Sequence, residues 1–450
     1  MFLERFWWTA YQAFHRLGQA RYPYKPLMAI LRDQSRHIRA AVEHAYKYVP
    51  YYRETMRGLG LTPADFQSAA DLSKLPLLER RQLQRDPEYF VTRGKPRPGW
   101  LKQATGGSSG APVTVYHDTA ALMRMAAYSH REGPVIAAVT RLPQGYRQTL
   151  IANLPGGMYN TYHYLDRHTL APPGRRLTKQ FLSVTDPVEE NLRRLNEFRP
   201  DILRSFGSYV TLLFSYMEAS GAFFHRPKLI SSTGDRLPQP IRRLITDKYR
   251  IPVITDYGAS EAPKIGFECE AHLGLHLNLD FYPLRLVDPE GREVPAGETG
   301  EVVVSDLVNR GIVILNYRLG DLAALLPQAC PCGRTLPLLS FPQGRIYDFI
   351  RLTSGKKIHP MVVPQVFRFE QEIYQFQVVQ KALDLLEVRL VPKEECNQKE
   401  LAKRLQARFA QIFGPEMRVE VVFVSDVERT ASGKVRLVIS LGQDLGEEIP

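Results

Sequence analysis

Apolar residues at Leu27, Leu31, Ile38, Val42, Ala45 and Val49 recur every three or four positions, the spacing of a helix with one buried face. Pro50 breaks that run, and "LTPADFQSAADLSKLPLLERRQLQRDP" then predicts short helices separated by prolines, with Ser68 and Asp71 as N-caps. A glycine- and hydroxyl-rich stretch, "TGGSSGAP" (Thr105 to Pro112), precedes "PVTVYHD", whose alternation predicts a strand.

Further on, apolar runs of strand type alternate with helical patterns. "QTLIANL", "DILRSF", "PKLISSTG" and "IPVITDYG" read as strands, while "GSYVTLLFSYMEAS" and "PQPIRRLITDKY" read as helices. This alternation predicts an α/β domain with a substantially parallel sheet, whose ligands sit beyond the carboxyl ends of the strands. Glycine and hydroxyl clusters fall at those ends, around Gly207, Gly234 and Gly258. From "LRLVDPEGREVPAGETGEVVVSDL" the pattern turns to β-hairpins. Past "GRIYDFI" it becomes a compact β-β-α-β unit of about one hundred residues, within the size of a small domain. The expected organisation is a large domain over residues 1–344 and a small α+β domain over residues 345–450.

Composition narrows the class of partner. The chain has 450 residues, of which 44% are hydrophobic, so a sizeable core is expected rather than disorder. Its 59 Lys and Arg against 47 Asp and Glu leave a charge of +12, which suits an anionic ligand. No dense basic run with interleaved aromatics is present, so nucleic acid is not the expected partner. The N-terminal "MFLERFWWTAYQAFHRLGQARYPYKPL" is aromatic and basic, but Glu4 interrupts it and no unbroken apolar core of signal-peptide type appears. Trp7 and Trp8 suit either a bilayer surface or, the blander alternative, packing onto the main domain. No run of about 18 apolar residues long enough to cross a membrane occurs, and the cytoplasm is the expected location.

Four cysteines are too few to staple a secreted scaffold of this length. Their grouping says more: Cys330 and Cys332 share the turn "CPCGR", and Cys269 is followed by His272 and His276 in "ECEAHLGLH". Two thiolates and one imidazole, from His272 or His276, with a fourth soft ligand would close a structural tetrahedral zinc site; buried free thiols and surface histidines are the alternative. Cys396, in "KEECNQ", is expected at the surface.

Taken alone, "TGGSSGAP" suits a turn as well as a phosphate loop. Its company changes that. "DYGASE", "YRLGD", "GRIYD" and "RTASGKVR" follow it in order, and the five segments together resemble the ordered motifs of adenylate-forming enzymes. "AYKYVPYYRE", "ECEAHLGLH" and "CPCGRT" resemble the phenylacetate–CoA ligase-like branch of that superfamily. The resemblance implies a large adenylation domain of mixed and parallel sheets with a hairpin subdomain, and a small mobile C-terminal domain.

It also implies roles. Thr105, Gly106, Gly107, Ser108, Ser109 and Gly110 would cradle the β- and γ-phosphates of ATP, glycine backbone and hydroxyls converging on an anion. Thr233, Gly234, Asp235, Asp256, Tyr257, Gly258, Ala259 and Ser260 would border the nucleotide, with the Tyr257 ring facing adenine. Glu261 would hold Mg2+, and Asp321 would accept the two ribose hydroxyls. Arg345 would reach ribose or phosphate, and Asp348 would mark the hinge. Lys434 would bridge the substrate carboxylate and the α-phosphate as charge develops. Cys269, His276, Cys330 and Cys332 would hold zinc.

The implied reaction joins an organic acid, aromatic in class, to AMP with release of pyrophosphate, and passes the acyl group to coenzyme A. An amine or a carrier-protein thiol would use the same adenylate, and a non-catalytic nucleotide-binding protein of the same fold is the remaining alternative. A homodimer is the assembly the resemblance implies. The acid pocket is expected along "SFGSYV", "SSTGD", "YGAS" and "LPGGMYNTYHY", with Tyr159, Tyr162 and Tyr164. Two departures stand out. Ala111 occupies a position where many relatives have lysine, leaving Lys102 as a substitute, and "TSGKKIHP" replaces the usual segment after the hinge.

Overall fold

A computed structural model describes residues 2–94, 99–104, 113–142, 146–170, 178–342, 350–355, 357–358, 363, 366–367, 370, 372–392, 396–428, 436 and 438–441. The first 85 residues are helical: α1 (Phe2–Arg16), α2 (Leu27–Tyr48), α3 (Pro50–Gly58) and α4 (Arg80–Arg85). The apolar stripe of α2 buries Ile30, Ile38, Ala41, Val42 and Ala45. Pro50 opens α3, where its missing N–H costs no hydrogen bond. Ser68 and Asp71 do not cap helices as expected. The Asp71 carboxylate instead turns back to accept the N–H groups of Gln67 and Ser68.

Next come β1 (Leu101–Ala104), β2 (Thr114–His117), α5 (Thr119–Tyr128) and α6 (Gly133–Thr140). The α/β region holds β3 (Arg147–Ala152), α7 (Gly157–His168), β4 (Thr178–Ser183), α8 (Val188–Phe198), β5 (Ile202–Phe206), α9 (Gly207–Ser220), β6 (Leu229–Thr233), α10 (Gln239–Arg243) and β7 (Val253–Tyr257). It continues through β8 (Gly266–Glu268), β9 (Leu275–Leu277), β10 (Leu284–Val287), β11 (Thr299–Val304), β12 (Tyr317–Leu326) and β13 (Leu338–Leu339).

Among the described residues these strands form an eleven-stranded sheet ordered β10-β11-β12-β13-β9-β8-β7-β6-β5-β3-β4. The half from β4 to β7 is parallel, as the alternating pattern predicts. From β7 onward every pairing is antiparallel, so the hairpin segment continues the same sheet. Among the described residues β2 pairs as a strand with β1 alone, in a separate ribbon.

Chain order and strand order part company at β3, which lies between β4 and β5 although β4 and β5 are consecutive. Such a reversal opens a crevice beyond the carboxyl ends of β3 and β5. Helices α8 and α9 cover one face of the parallel half over Leu203, Ile230 and Val253, while Ile202, Leu229 and Ile254 join the main core on the other.

The C-terminal segment comprises β14 (Ile350–Arg351), β15 (Lys357–Ile358), β16 (Ile373–Ala382), β17 (Leu385–Pro392), α11 (Gln398–Phe413), β18 (Arg418–Phe423) and β19 (Val438–Ile439). Its four-stranded sheet runs β18-β17-β16-β19, with α11 burying Leu401, Leu405, Phe409 and Phe413 in a core drawn from residues 350–438. Cys396 is half-buried beside that core rather than fully at the surface.

One buried ion pair ties the N-terminal region to the sheet. Arg131, just before α6, makes a bidentate contact with Asp280 at 2.7 and 2.8 Å, and both side chains are excluded from solvent. It also donates to Asn278 and Gln19 and lies over the rings of Tyr22 and Phe281. Removing one partner strands a buried charge, so Arg131→Met should destabilise the protein by about 3–5 kcal/mol in denaturant unfolding. Arg131→Met with Asp280→Leu should recover part of that loss. A single variant as stable as the parent contradicts this role.

Candidate active site

The segment Tyr257–Glu261 leaves the last parallel strand and turns sharply. Ala259 and Ala262 exchange backbone hydrogen bonds at 3.0 and 3.1 Å, which sets Ser260 and Glu261 at the tip of a tight turn. Gly258 is required for that turn, because a Cβ there would lie 2.2 Å from the Pro263 carbonyl oxygen.

Two hydrogen bonds join this turn to β12. The Tyr257 hydroxyl donates to Asp321 Oδ2 at 2.9 Å, and the Tyr317 hydroxyl donates to Glu261 Oε1 at 3.2 Å. The two motifs, some sixty residues apart in sequence, are therefore cross-linked at both ends. Glu261 is buried, and Arg80 of α4 stands 3.8 Å from the same oxygen. Tyr317 and Arg80 carried no signal of their own in the sequence beyond Tyr317's place in "YRLGD".

The strand ends beside this turn are also tied together. Asp235, after β6, accepts the N–H of Ser208 at the start of α9 at 3.1 Å. Gly207 lets α9 begin there, since a Cβ would meet the Arg236 backbone at 2.5 Å. Thr233 ends β6, and Gly234 follows at φ +78°.

Asp256 is placed differently from its neighbours. Its carboxylate accepts from Ser231 at 3.0 Å and pairs with Arg204 at 2.9 Å, while Lys264 pairs with Glu132 at 2.7 Å. Burial, with Asp256 nearby, pushes the Glu132 carboxyl up. Against the same desolvation, Arg204 and Lys264 hold Asp256 down. This buried cluster underlies the strand ends, and Glu132, Arg204 and Lys264 belong to no sequence motif.

Among the aromatic candidates, Tyr159 stands edge-on to Phe181 and beside His163, and Tyr162 accepts from Gln148 at 3.1 Å. Tyr164 is taken up elsewhere: it bonds Thr119 and the Gly99 carbonyl and stacks on His168. Lys102 is exposed, its ammonium 5.8 Å from the Tyr116 ring centroid. Thr105, Gly106, Gly107, Ser108, Ser109, Gly110 and Ala111 lie outside the described residues, as do Arg345, Asp348 and Lys434.

The cysteine and histidine candidates converge. Ligand atoms of Cys269, His276, Cys330 and Cys332 all lie within 4.8 Å of one another. Sulfurs on one tetrahedral zinc, with bonds of about 2.3 Å, stand about 3.8 Å apart. Cys269 and Cys330 stand at 3.6 Å, and Cys332 Sγ is 3.2 Å from His276 Nε2. His276 Nδ1 faces the Leu336 carbonyl at 3.1 Å, an arrangement that fixes the ring and leaves Nε2 for a metal. His272 is excluded from the set: it is half-exposed, and its Nδ1 faces Glu268 at 2.6 Å.

His117, at the end of β2, belongs to none of the five motifs. It is buried and hydrogen-bonds the Ser260 backbone, so the strand after "TGGSSGAP" holds the Glu261 turn directly. Burial pushes its imidazole down to about 4 from 6.5. The unfolded chain therefore takes up a proton between these values that the folded chain refuses. Stability should fall as pH drops from 6.5 towards 4, by up to about 3 kcal/mol from this group. Denaturant midpoints across that range should fall less steeply for His117→Gln than for the parent, and an equally steep fall contradicts the assignment.

A family model described as the CapK C-terminal domain matches residues 350–441. A phenylacetate–coenzyme A ligase of Aromatoleum evansii is 28% identical over 432 residues, covering 90% of this chain and 93% of that protein. A phenylacetate–coenzyme A ligase of Thermus thermophilus is 25% identical over 446 residues, covering 91% and 96%. In fold the chain is similar to a 2-hydroxyisobutyryl-CoA ligase in the postadenylation state, with a TM-score of 0.73, 18% identity, and coverage of 92% and 90%. In motif order, in its cross-linked turn and over nearly its whole length the chain is similar to phenylacetate–coenzyme A ligases, and it is an AMP-forming acid ligase.

Proposed function

We propose that this AMP-forming acid ligase activates an aromatic carboxylic acid with ATP and Mg2+, releases pyrophosphate, and transfers the acyl group to coenzyme A. The observation that carries the proposal is the pair of hydrogen bonds from Tyr257 to Asp321 and from Tyr317 to Glu261. The first fixes a carboxylate beside an aromatic ring, the pairing a ribose and its base require. The second aims a buried carboxylate at the neighbouring space, where triphosphate oxygens would complete the shell of a hard cation. Bound Mg2+ would supply charge neutralisation at the phosphates, and Glu261 would orient it.

In this reading Thr105, Gly106, Gly107, Ser108, Ser109 and Gly110 receive the phosphates, Arg345 reaches ribose or phosphate, and Lys434 stabilises the α-phosphate as the acid carboxylate attacks. Residues 345–450 would act as the mobile domain that delivers Lys434 and then withdraws it about Asp348. Tyr159 and Tyr162 of α7, which stand against Phe181 of β4, support an aromatic acid. Names of the two relatives point the same way. We place the reaction in the cytoplasm.

Purified protein incubated with ATP, Mg2+, coenzyme A and a panel of aryl and alkyl acids should yield AMP and an acyl-CoA in equal amounts, resolved by mass spectrometry. Lys434→Ala should lower adenylation by about a hundredfold or more while leaving thioester formation from a supplied adenylate within about threefold. Amides or acylated carrier protein in place of acyl-CoA would overturn the acceptor. AMP formation with no acid in the panel would overturn the activity.

We also propose that Cys269, His276, Cys330 and Cys332 bind one structural zinc, since four protein ligands leave no open position for substrate. Protein purified without added metal should carry about one zinc per chain. Cys332→Ser should lose it and lower the Tm by about 5 °C or more. Full stability with no bound metal contradicts the site.

A further inference from the structure

The helix α1 is mounted the wrong way round for an ordinary surface helix, which turns its apolar stripe inward. At 100° per residue, Phe2, Phe6, Leu3, Phe14 and Trp7, continued by Leu17 just past the last turn, fall within one arc of about 140°. Ala10 and Ala13 are the remaining residues in that arc, which holds no charge. Every large residue of the arc faces solvent, from Phe6 at 59% exposure to Leu3 at 80%.

The more polar side of the helix does the packing. Trp8 and Tyr11 lie on Leu122, Met123 and Tyr164, Arg5 donates to the Thr169 carbonyl, and Thr9 accepts from the Leu170 N–H at 2.8 Å. The two tryptophans therefore part company: Trp8 anchors the helix and Trp7 is presented outward. Directly after α1 the chain also exposes Tyr24 and Met28.

Charge identifies the occupant of this face. Residues 2–36 hold six cations (Arg5, Arg16, Arg21, Lys25, Arg32 and Arg36) against Glu4 and Asp33, part of the chain's total of +12; Arg5 is engaged in the helix's seat, and Lys25 and Arg36 pair with Asp33. A second copy of the chain would bring like charges together around the apolar strip. An anionic bilayer complements both parts, taking the aromatic strip into the headgroup boundary and attracting the segment's excess of positive charge.

We propose that α1 docks this enzyme on the surface of an anionic membrane, lying in the interface without crossing it. No helix among the described residues is long and apolar enough to cross a membrane, consistent with surface docking alone. The rigid seat provided by Trp8, Tyr11 and Arg5 means that the helix need not fold on contact.

Co-flotation of the full-length protein with lipid vesicles tests this. Vesicles with one-third phosphatidylglycerol in phosphatidylcholine should carry the protein, and phosphatidylcholine alone should carry at least tenfold less. Raising the salt should weaken binding. Trp7→Glu with Phe14→Glu should reduce the partition coefficient by at least about tenfold, while acyl-CoA formation without vesicles and the Tm stay unchanged. Absence of flotation on anionic vesicles at low salt, or equal binding by the double variant, would overturn the proposal. So would a concentration-dependent dimer in sedimentation equilibrium that the same two substitutions dissolve, which would assign the face to a second copy.

Discussion

The site depends on two crossed hydrogen bonds between a tight turn and an antiparallel strand. Tyr257 and Glu261 sit at the two ends of a five-residue segment, and each is bonded to a residue of β12, Asp321 and Tyr317. A hydrogen bond to a carboxylate is worth about 1.5–3 kcal/mol, and two of them on one rigid turn fix both carboxylates without any ligand. Gly258 makes the turn possible, and His117 holds it through the Ser260 backbone. Preorganisation of this kind lets binding energy go into the reacting groups instead of into ordering the loop.

The sheet explains why these residues meet. Its parallel half ends at β7, and the chain then folds back through β8 and β9 into an antiparallel half that contains β12. The turn at Glu261 lies on that boundary, so a residue from each half is within reach. The Cys and His cluster sits on the same junction: Cys269 follows β8, His276 lies in β9, and Cys330 and Cys332 lie between β12 and β13. A metal there would pin the antiparallel half against the hairpin that leaves the turn. The buried pair of Arg131 and Asp280 does comparable work on the N-terminal side.

Much of this was legible in the sequence, and the gaps have physical causes. The helix α2 and the strands β3, β5, β6 and β7 follow from periodicity, because each buries a regular stripe or both faces. Periodicity cannot say which sheet a strand joins, so the separate β1–β2 ribbon was not foreseeable. Ser68 and Asp71 look like caps, but Asp71 satisfies upstream N–H groups in a local turn. His272 and His276 are equivalent by spacing, and only the burial of His276 and its bond to Leu336 separate them. Glu261, Tyr257 and Asp321 were found through motif order. His117, Arg80, Arg204 and Lys264 belong to no motif, since their partners are fixed by tertiary packing. Which tryptophan of α1 packs inward is likewise a matter of docking, because the helix seats its polar side.

The central claim is that these two motifs build a site for making an acyl-adenylate. Acid-dependent exchange of labelled pyrophosphate into ATP measures that step directly, with coenzyme A left out. The account predicts exchange in the parent protein without coenzyme A, and a fall of about a hundredfold or more in Asp321→Asn. Exchange that is absent for every acid in a broad panel, or undiminished in Asp321→Asn, would contradict it.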